Sequence, residues 1–280
     1  MTTSTGQLST RLGAVAATTL LAALAFTGCD LTPHPGPDEC RGFPRTGEVE
    51  RTVVEAIDIS RSAEDEWDEL QDQALALATA SVGEGQPAAS IQVIAQDNTV
   101  MTHGTHVQLV EPIGFDFDTD GNGTQHQDYT TACLTRLEDE LDDALDGLAT
   151  SDGSDPFGAA AYAATTFAEA GTTDNVLGLF GDGYANNDSC NLYRDAALLD
   201  LSAHEDLARQ CSGGILPSLA DVAVYQSGVA VRSASSHPRP GDDDRARALI
   251  DFYRDTVWPL TGARQPASVG PRLEFGQSSP

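Results

Sequence analysis

Short β-rich apolar runs alternate along this chain with segments whose apolar residues recur every three or four positions. That alternation limits the fold more than any other feature. Thr52–Ile59 is mostly apolar and β-rich, the signature of a central strand covered on both faces. Ser62–Ala80 follows as a helix, with Glu64, Asp65 and Glu66 suited to the positive end of the dipole and Trp67, Leu70, Ala74 and Leu77 on one face; Gly83, Gly85 and Pro87 end it. Ala89–Ala95 and Thr105–Val110 read as strands joined around Asp97-Asn98. Helices are expected over Tyr129–Leu148, Phe157–Ala170, Asp195–Gln210 and Arg245–Thr261. Further strands are expected at Asn175–Phe180 and at Ala220–Tyr225, the latter extending as far as Val231. Strands alternating with helices predict a three-layer α/β domain around a doubly wound, mostly parallel, Rossmann-like sheet. In such a sheet ligands sit at the carboxyl ends of the strands, where strand order reverses.

Charge removes whole classes of function. Asp and Glu number 43 against 15 basic residues, giving a net charge of -28. Nucleic acid is therefore excluded as a partner, because its phosphates would be repelled. Every basic residue is Arg, so chemistry that needs lysine, such as the Walker phosphate cradle or a Schiff base, is excluded too.

Residues 1–28 carry one charge, Arg11, and an apolar run from Leu12 to Phe26. The run falls short of the ~20 residues that span a bilayer and reads as a secretory signal. It closes on Phe26-Thr27-Gly28-Cys29, which resembles the bacterial lipobox, with Phe26 where that motif carries an aliphatic residue. The resemblance implies lipidation of Cys29 and a protein held at the extracellular face of the membrane by its lipid alone. The alternative, cleavage after Ala23-Leu24-Ala25, leaves an odd thiol in a secreted chain. With Cys29 lipidated, Cys40, Cys133, Cys190 and Cys211 remain for two disulfides. Of the three pairings, Cys40–Cys133 with Cys190–Cys211 is preferred. Residues 29–47, with Pro33, Pro35, Pro37 and Pro44, read as an extended linker, 48–264 as the domain and 265–280 as a flexible tail.

The chemistry lies where the buried strands end. The first ends in Asp58-Ile59-Ser60-Arg61-Ser62, a later one in Gly181-Asp182-Gly183, and between them Gly153-Ser154-Asp155-Pro156 enters a helix. In order and spacing these loops resemble the von Willebrand factor type A domain and its metal-ion-dependent adhesion site, across roughly residues 48–263. The resemblance implies that Ser60 and Ser62 bind a cation through their hydroxyls. Asp58 and Asp182 would hold it directly or through water, and Ser154 replaces the family's threonine, with Asp155 a competing assignment. Hard oxygen donors of this kind select Mg²⁺ or Mn²⁺, with Ca²⁺ a third choice. Two carboxylates and neutral hydroxyls leave such an ion with an exchangeable position. The expected partner is therefore a protein or other carboxylate-bearing ligand, and catalysis is not implied. Arg61 departs from the pattern by placing a cation in the first loop.

Asp116-Phe117-Asp118-Thr119-Asp120-Gly121-Asn122 resembles the start of an EF-hand Ca²⁺ loop, so Asp116, Asp118, Asp120 and Asn122 form a second candidate site. Gln127 stands where that loop needs a bidentate Glu, and a solvated acidic loop is the competing account. His103 and His106 fall on opposite strand faces and read as surface residues. Two other functions compete with adhesion. Gly181-Asp182-Gly183-Tyr184-Ala185-Asn186-Asn187-Asp188 is similar to a segment of Mg²⁺-dependent haloacid-dehalogenase-type phosphatases, although Ser60 stands where those need a second Asp. The third reading is a structural envelope protein whose metal site has decayed.

Overall fold

In the computed structural model, residues 36–83, 85–98, 108–230 and 242–273 are described. The expected signal, Cys29, His103, His106, Val231 and the chain beyond Leu273 lie outside them. Strand β1 (Arg51–Asp58) is buried from Thr52 onward and sits at the centre of the sheet. It pairs in parallel with β2 (Ala89–Gln96) on one side and β4 (Asp174–Phe180) on the other. Both of its faces are covered, which is why its sequence shows no polar alternation. Beyond β2 lies β3 (Gln108–Phe115), and beyond β4 lie β5 (Ala223–Ser227) and β6 (Ser268–Val269), in the order β3-β2-β1-β4-β5-β6. All neighbours are parallel except β2 and β3.

Helices cover both faces, as expected of a doubly wound α/β fold. On one face α1 (Trp67–Val82) and α2 (Gly123–Asp146) pack Leu70, Leu77, Leu137 and Leu141 against Val53, Ile57, Ile91 and Val93. On the other, α3 (Pro156–Ala170), α4 (His204–Cys211) and α5 (Asp242–Phe252) bring Phe157, Leu207, Leu249 and Phe252 against Val54, Ala56, Leu177 and Leu179. A π turn, Tyr253–Val257, follows α5 and leads into α6 (Trp258–Thr261). Pro259 would clash with the carbonyl four residues back in a regular helix, and the wider turn before it relieves that conflict.

The chain departs from the sequence reading in several places. Strand β3 runs on to Phe115 rather than ending at Val110, and Pro112 is tolerated within it because β3 is an edge strand. The second helix begins at Gly123 rather than Tyr129, because the Asn122 side chain caps it by accepting from the N–H groups of Thr124 and Gln125. The helix expected over Asp195–Gln210 is broken into two 3₁₀ turns and the short α4. Asp195 and Asp200 each cap a turn, accepting from the N–H groups of Ala197 and Ser202. The expected tail instead adds strand β6, whose Ser268 and Val269 pair with Tyr225 and Gln226.

The expected linker is likewise part of the domain from residue 36 on. Pro37–Gly42 forms a 3₁₀ helix, Cys40 is fully buried, and the Phe43 ring stacks on Tyr129 at 4.0 Å. Arg45 donates to the carbonyls of Cys40 and Gly114 and lies over the Phe117 ring. The preferred pairing of cysteines is the one formed: Cys40–Cys133 fastens this segment to α2, and Cys190–Cys211 closes the chain after β4 onto α4.

Candidate metal centre

The sheet changes direction at β1. The chain moves outward through β2 and β3, then returns to add β4 on the other side. The crevice at this switch point opens over the carboxyl ends of β1 and β4. Asp58 is the last residue of β1, and Asp182 follows Phe180, the end of β4, by two residues. Two glycines let these ends approach. A Cβ on Gly181 would collide with the Asp58 side chain and reach 2.8 Å from its Oδ2, while a Cβ on Gly153 would overlap the carbonyl of Asn186.

Backbone bonds fasten the three loops to one another. Ser151 N donates to Ile59 O at 2.9 Å and Arg61 N to Ser151 O at 3.0 Å, docking the second loop on the first. Asn186 N donates to Ser154 O at 2.8 Å, docking the third on the second. Where they meet, Ser60, Ser62, Ser154, Tyr184, Asn186 and Tyr193 help line a cleft of about 180 Å³.

The expected ligands fall into place unequally. Ser60 N donates to Asp58 Oδ1 at 2.8 Å, and the Ser60 and Ser62 hydroxyls lie 3.0 Å apart. Ser62 Oγ donates to Asp182 Oδ2 at 3.0 Å, and Tyr184 N donates to Asp182 Oδ1 at 2.9 Å. Asp58, Ser60, Ser62 and Asp182 are thereby linked in one network. Ser154 lines the same cleft but is buried, and its hydroxyl accepts from Gln96 Nε2 at 2.6 Å. Asp155, the competing residue, is fully buried; its Oδ1 accepts from Asn187 Nδ2 at 2.8 Å, while its Oδ2 has no hydrogen-bond partner among the described residues. Arg61 turns outward, its guanidinium 3.0 Å from the exposed Asp152 carboxylate, so its charge does not block the network.

Electrostatics marks the centre as short of positive charge. Burial, reinforced by the Asp182 charge, pushes Asp58 up to about 7 against the pull of its Ser60 hydrogen bonds. Burial also raises Asp182, opposed by donation from Tyr193, Tyr184 and Ser62. Glu66 is pushed up to about 7 by burial and then by the Asp182 charge. Burial pushes Asp155 up to about 6. Asp58 Oδ2 is buried with no hydrogen-bond partner among the described residues. An orphaned carboxylate oxygen beside hydroxyls and a second acid is the donor set a small hard cation takes, and the residues present fit Mg²⁺ or Mn²⁺.

The second candidate site does not assemble. Asp116 is buried, faces Arg45 and accepts from Gly47 N at 2.9 Å. Asn122 caps α2, while Asp118 and Asp120 point to solvent. Two of the four donors are thus engaged by the fold itself, an arrangement that suits the competing account of an acidic turn. Among the described residues no three His, Cys, Asp or Glu side chains cluster as a metal site, a count that the hydroxyl-rich centre above does not meet either. His204, which has no legible partner in the sequence, is buried with its Nε2 2.9 Å from Leu198 O.

One residue at the centre has no sequence motif. Tyr193 donates its hydroxyl to Asp182 Oδ2 and lies 2.9 Å from Ser62 Oγ. Burial and the Asp182 charge raise its pKa, so it keeps its proton and acts as a donor. The only available signal was its place 11 residues beyond Asp182, on the segment closed by Cys190–Cys211.

No family model and no curated relative matches the chain. Among solved structures it is similar to the human COPII-coat protein Sec24c, at 11% identity over 77% of this chain and 30% of that one, with a TM-score of 0.36. It is also similar to the three N-terminal domains of the type V pili tip protein Mfa5 from Porphyromonas gingivalis, at 15% identity over 69% of this chain and 29% of that one, with a TM-score of 0.31. The chain thus spans less than a third of either protein.

Proposed function

We propose that this chain is a type A-like binding domain that takes Mg²⁺ or Mn²⁺ at the switch point of its sheet and engages a carboxylate-bearing ligand, most simply a protein, through that ion. Lipidation of Cys29 would hold the domain at the extracellular face of a membrane. The observation that carries the reading is the Asp58–Ser60–Ser62–Asp182 network, in which Asp58 Oδ2 has no hydrogen-bond partner among the described residues. When bound, the ion would supply a Lewis-acid position open to an outside carboxylate. The chain's own part is to fix the oxygens. Gly181 brings β4 close to Asp58, Tyr184 N orients Asp182, and the Ser151 and Asn186 backbone bonds lock the three loops in register. Among the described residues the cleft is lined by hydroxyl, amide and aromatic side chains together with the Arg61–Asp152 pair, a polar surface suited to receiving a carboxylate-bearing group.

The test is calorimetry of the oxidised, folded chain with MnCl₂ and MgCl₂. The wild type should give a saturable heat. Asp182→Ala should lose it while keeping the wild-type circular dichroism spectrum. A silent wild type, or an Asp182→Ala variant that binds equally well, rejects the reading.

A further inference from the structure

The Tyr193 hydroxyl touches the two groups that the metal reading needs most. It donates to Asp182 Oδ2 and lies 2.9 Å from Ser62 Oγ, which itself donates to that carboxylate oxygen at 3.0 Å. Asp182 Oδ1 is already engaged by Tyr184 N. Oδ2 therefore carries two hydrogen-bond donors, and a cation that used it would have to displace one of them. Ser62 is exposed as well, but its short side chain is tied back to the buried Ser60 hydroxyl and belongs to the donor set, whereas Tyr193, 40% exposed, is no part of that set and can withdraw toward solvent. The phenol is the donor that can leave.

The phenol is also held in place from behind. Its ring stacks on Tyr184 at 4.5 Å and 19°. The preceding residues fold back on themselves: Leu192 N donates to Ala185 O at 2.9 Å and Asn191 Nδ2 to Asn186 Oδ1 at 2.8 Å, with Cys190 tied to Cys211. The hydroxyl is thus presented by a braced turn and occupies the network by construction.

We propose that Tyr193 is an internal competitor for the metal centre: its hydroxyl holds Asp182 and Ser62 until a divalent cation displaces it, and so sets the affinity for the ion. The proposal rests on the metal reading above and adds a residue that opposes binding to those that support it. A hydrogen bond to a charged acceptor is strong enough for its loss to change an affinity by about 10- to 100-fold. Tyr193→Phe removes the hydroxyl and keeps the ring on Tyr184.

The experiment is Mn²⁺ titration, followed by calorimetry, of the full oxidised wild type and Tyr193→Phe, each first checked for the same circular dichroism and melting behaviour. Tyr193→Phe should bind Mn²⁺ about tenfold or more tightly. Mn²⁺ should also shift the near-ultraviolet tyrosine band of the wild type, as the phenol leaves its carboxylate, and the shift should be largely lost in Tyr193→Phe. A hydroxyl that only supports the fold would leave affinity unchanged or weaken it. Equal or weaker binding by Tyr193→Phe overturns the competitor while leaving the metal centre intact. Uptake of no Mn²⁺ by either chain overturns both.

Discussion

Glu55 lies midway along β1, fully buried, with neither carboxyl oxygen bonded among the described residues. Burial raises its pKa well above the usual carboxylate range, so the folded protein holds it as a neutral acid. The unfolded chain releases that proton at the ordinary value. The stability tied to the group is therefore complete below the ordinary value and is lost as pH rises toward the folded one. Replacing it with an apolar side chain of similar volume removes both the orphaned oxygens and this dependence. Glu55→Leu should gain about 1–3 kcal/mol at pH 8 and much less at pH 4, read from urea unfolding at the two values. An equal gain at both would show that Glu55 is not the titrating group. The sequence reading passed over Glu55 because one acid in an apolar run leaves the strand pattern intact. It brought Asp58, Ser60, Ser62 and Asp182 forward as candidates because they follow the ends of buried strands, where the type A resemblance places its site. Tyr193 was illegible for the opposite reason: it meets Ser62 through a contact 131 positions apart in sequence.

At the scale of elements, periodicity identified β1, α1, β2, α3 and β4 because each buries a regular face. It failed where a single polar side chain overrides the period. Asp195 and Asp200 break one expected helix, and Asn122 starts another six residues before its first apolar position. Both are capping effects that a residue-by-residue search for Asp or Asn ahead of a helical run could have found. Strand β6 was hidden because two paired residues carry no period at all. The turn that carries Tyr193 depends on a covalent closure instead. Loop-entropy arguments give Cys190–Cys211, at a separation of 21, a contribution of about 3 kcal/mol. The double variant Cys190→Ser/Cys211→Ser should lose about that much in urea unfolding while keeping far-ultraviolet helix and strand signals. A loss below about 1 kcal/mol would show that hydrogen bonds alone hold the turn.

For the whole molecule the dominant quantity is the net charge of -28. The acids crowd on exposed surfaces such as the outer side of α2, where Arg136 and Arg41 pair with Glu140 but Asp139, Asp142 and Asp143 stand close by. Self-repulsion of this kind opposes the compact state and is relieved when the Debye length shrinks from about 10 Å at 0.1 M salt to about 3 Å at 1 M. The melting temperature should therefore climb steadily with NaCl over that range, as followed by differential scanning calorimetry. A flat profile would mean that the acids are balanced locally by the Arg pairs.

The bond between Cys40 and Cys133 also decides how the protein bears load. A pull applied ahead of Cys40 and at the far end of the chain passes through sulfur to α2 and bypasses β1, α1, β2 and β3. The bypassed stretch, a separation of 93 residues, amounts to roughly 300 Å of extended chain that tension cannot draw out while the bond is oxidised. In a stretching experiment that length should be released only after a reductant is added, so the central strand and its Asp58 would be mechanically shielded.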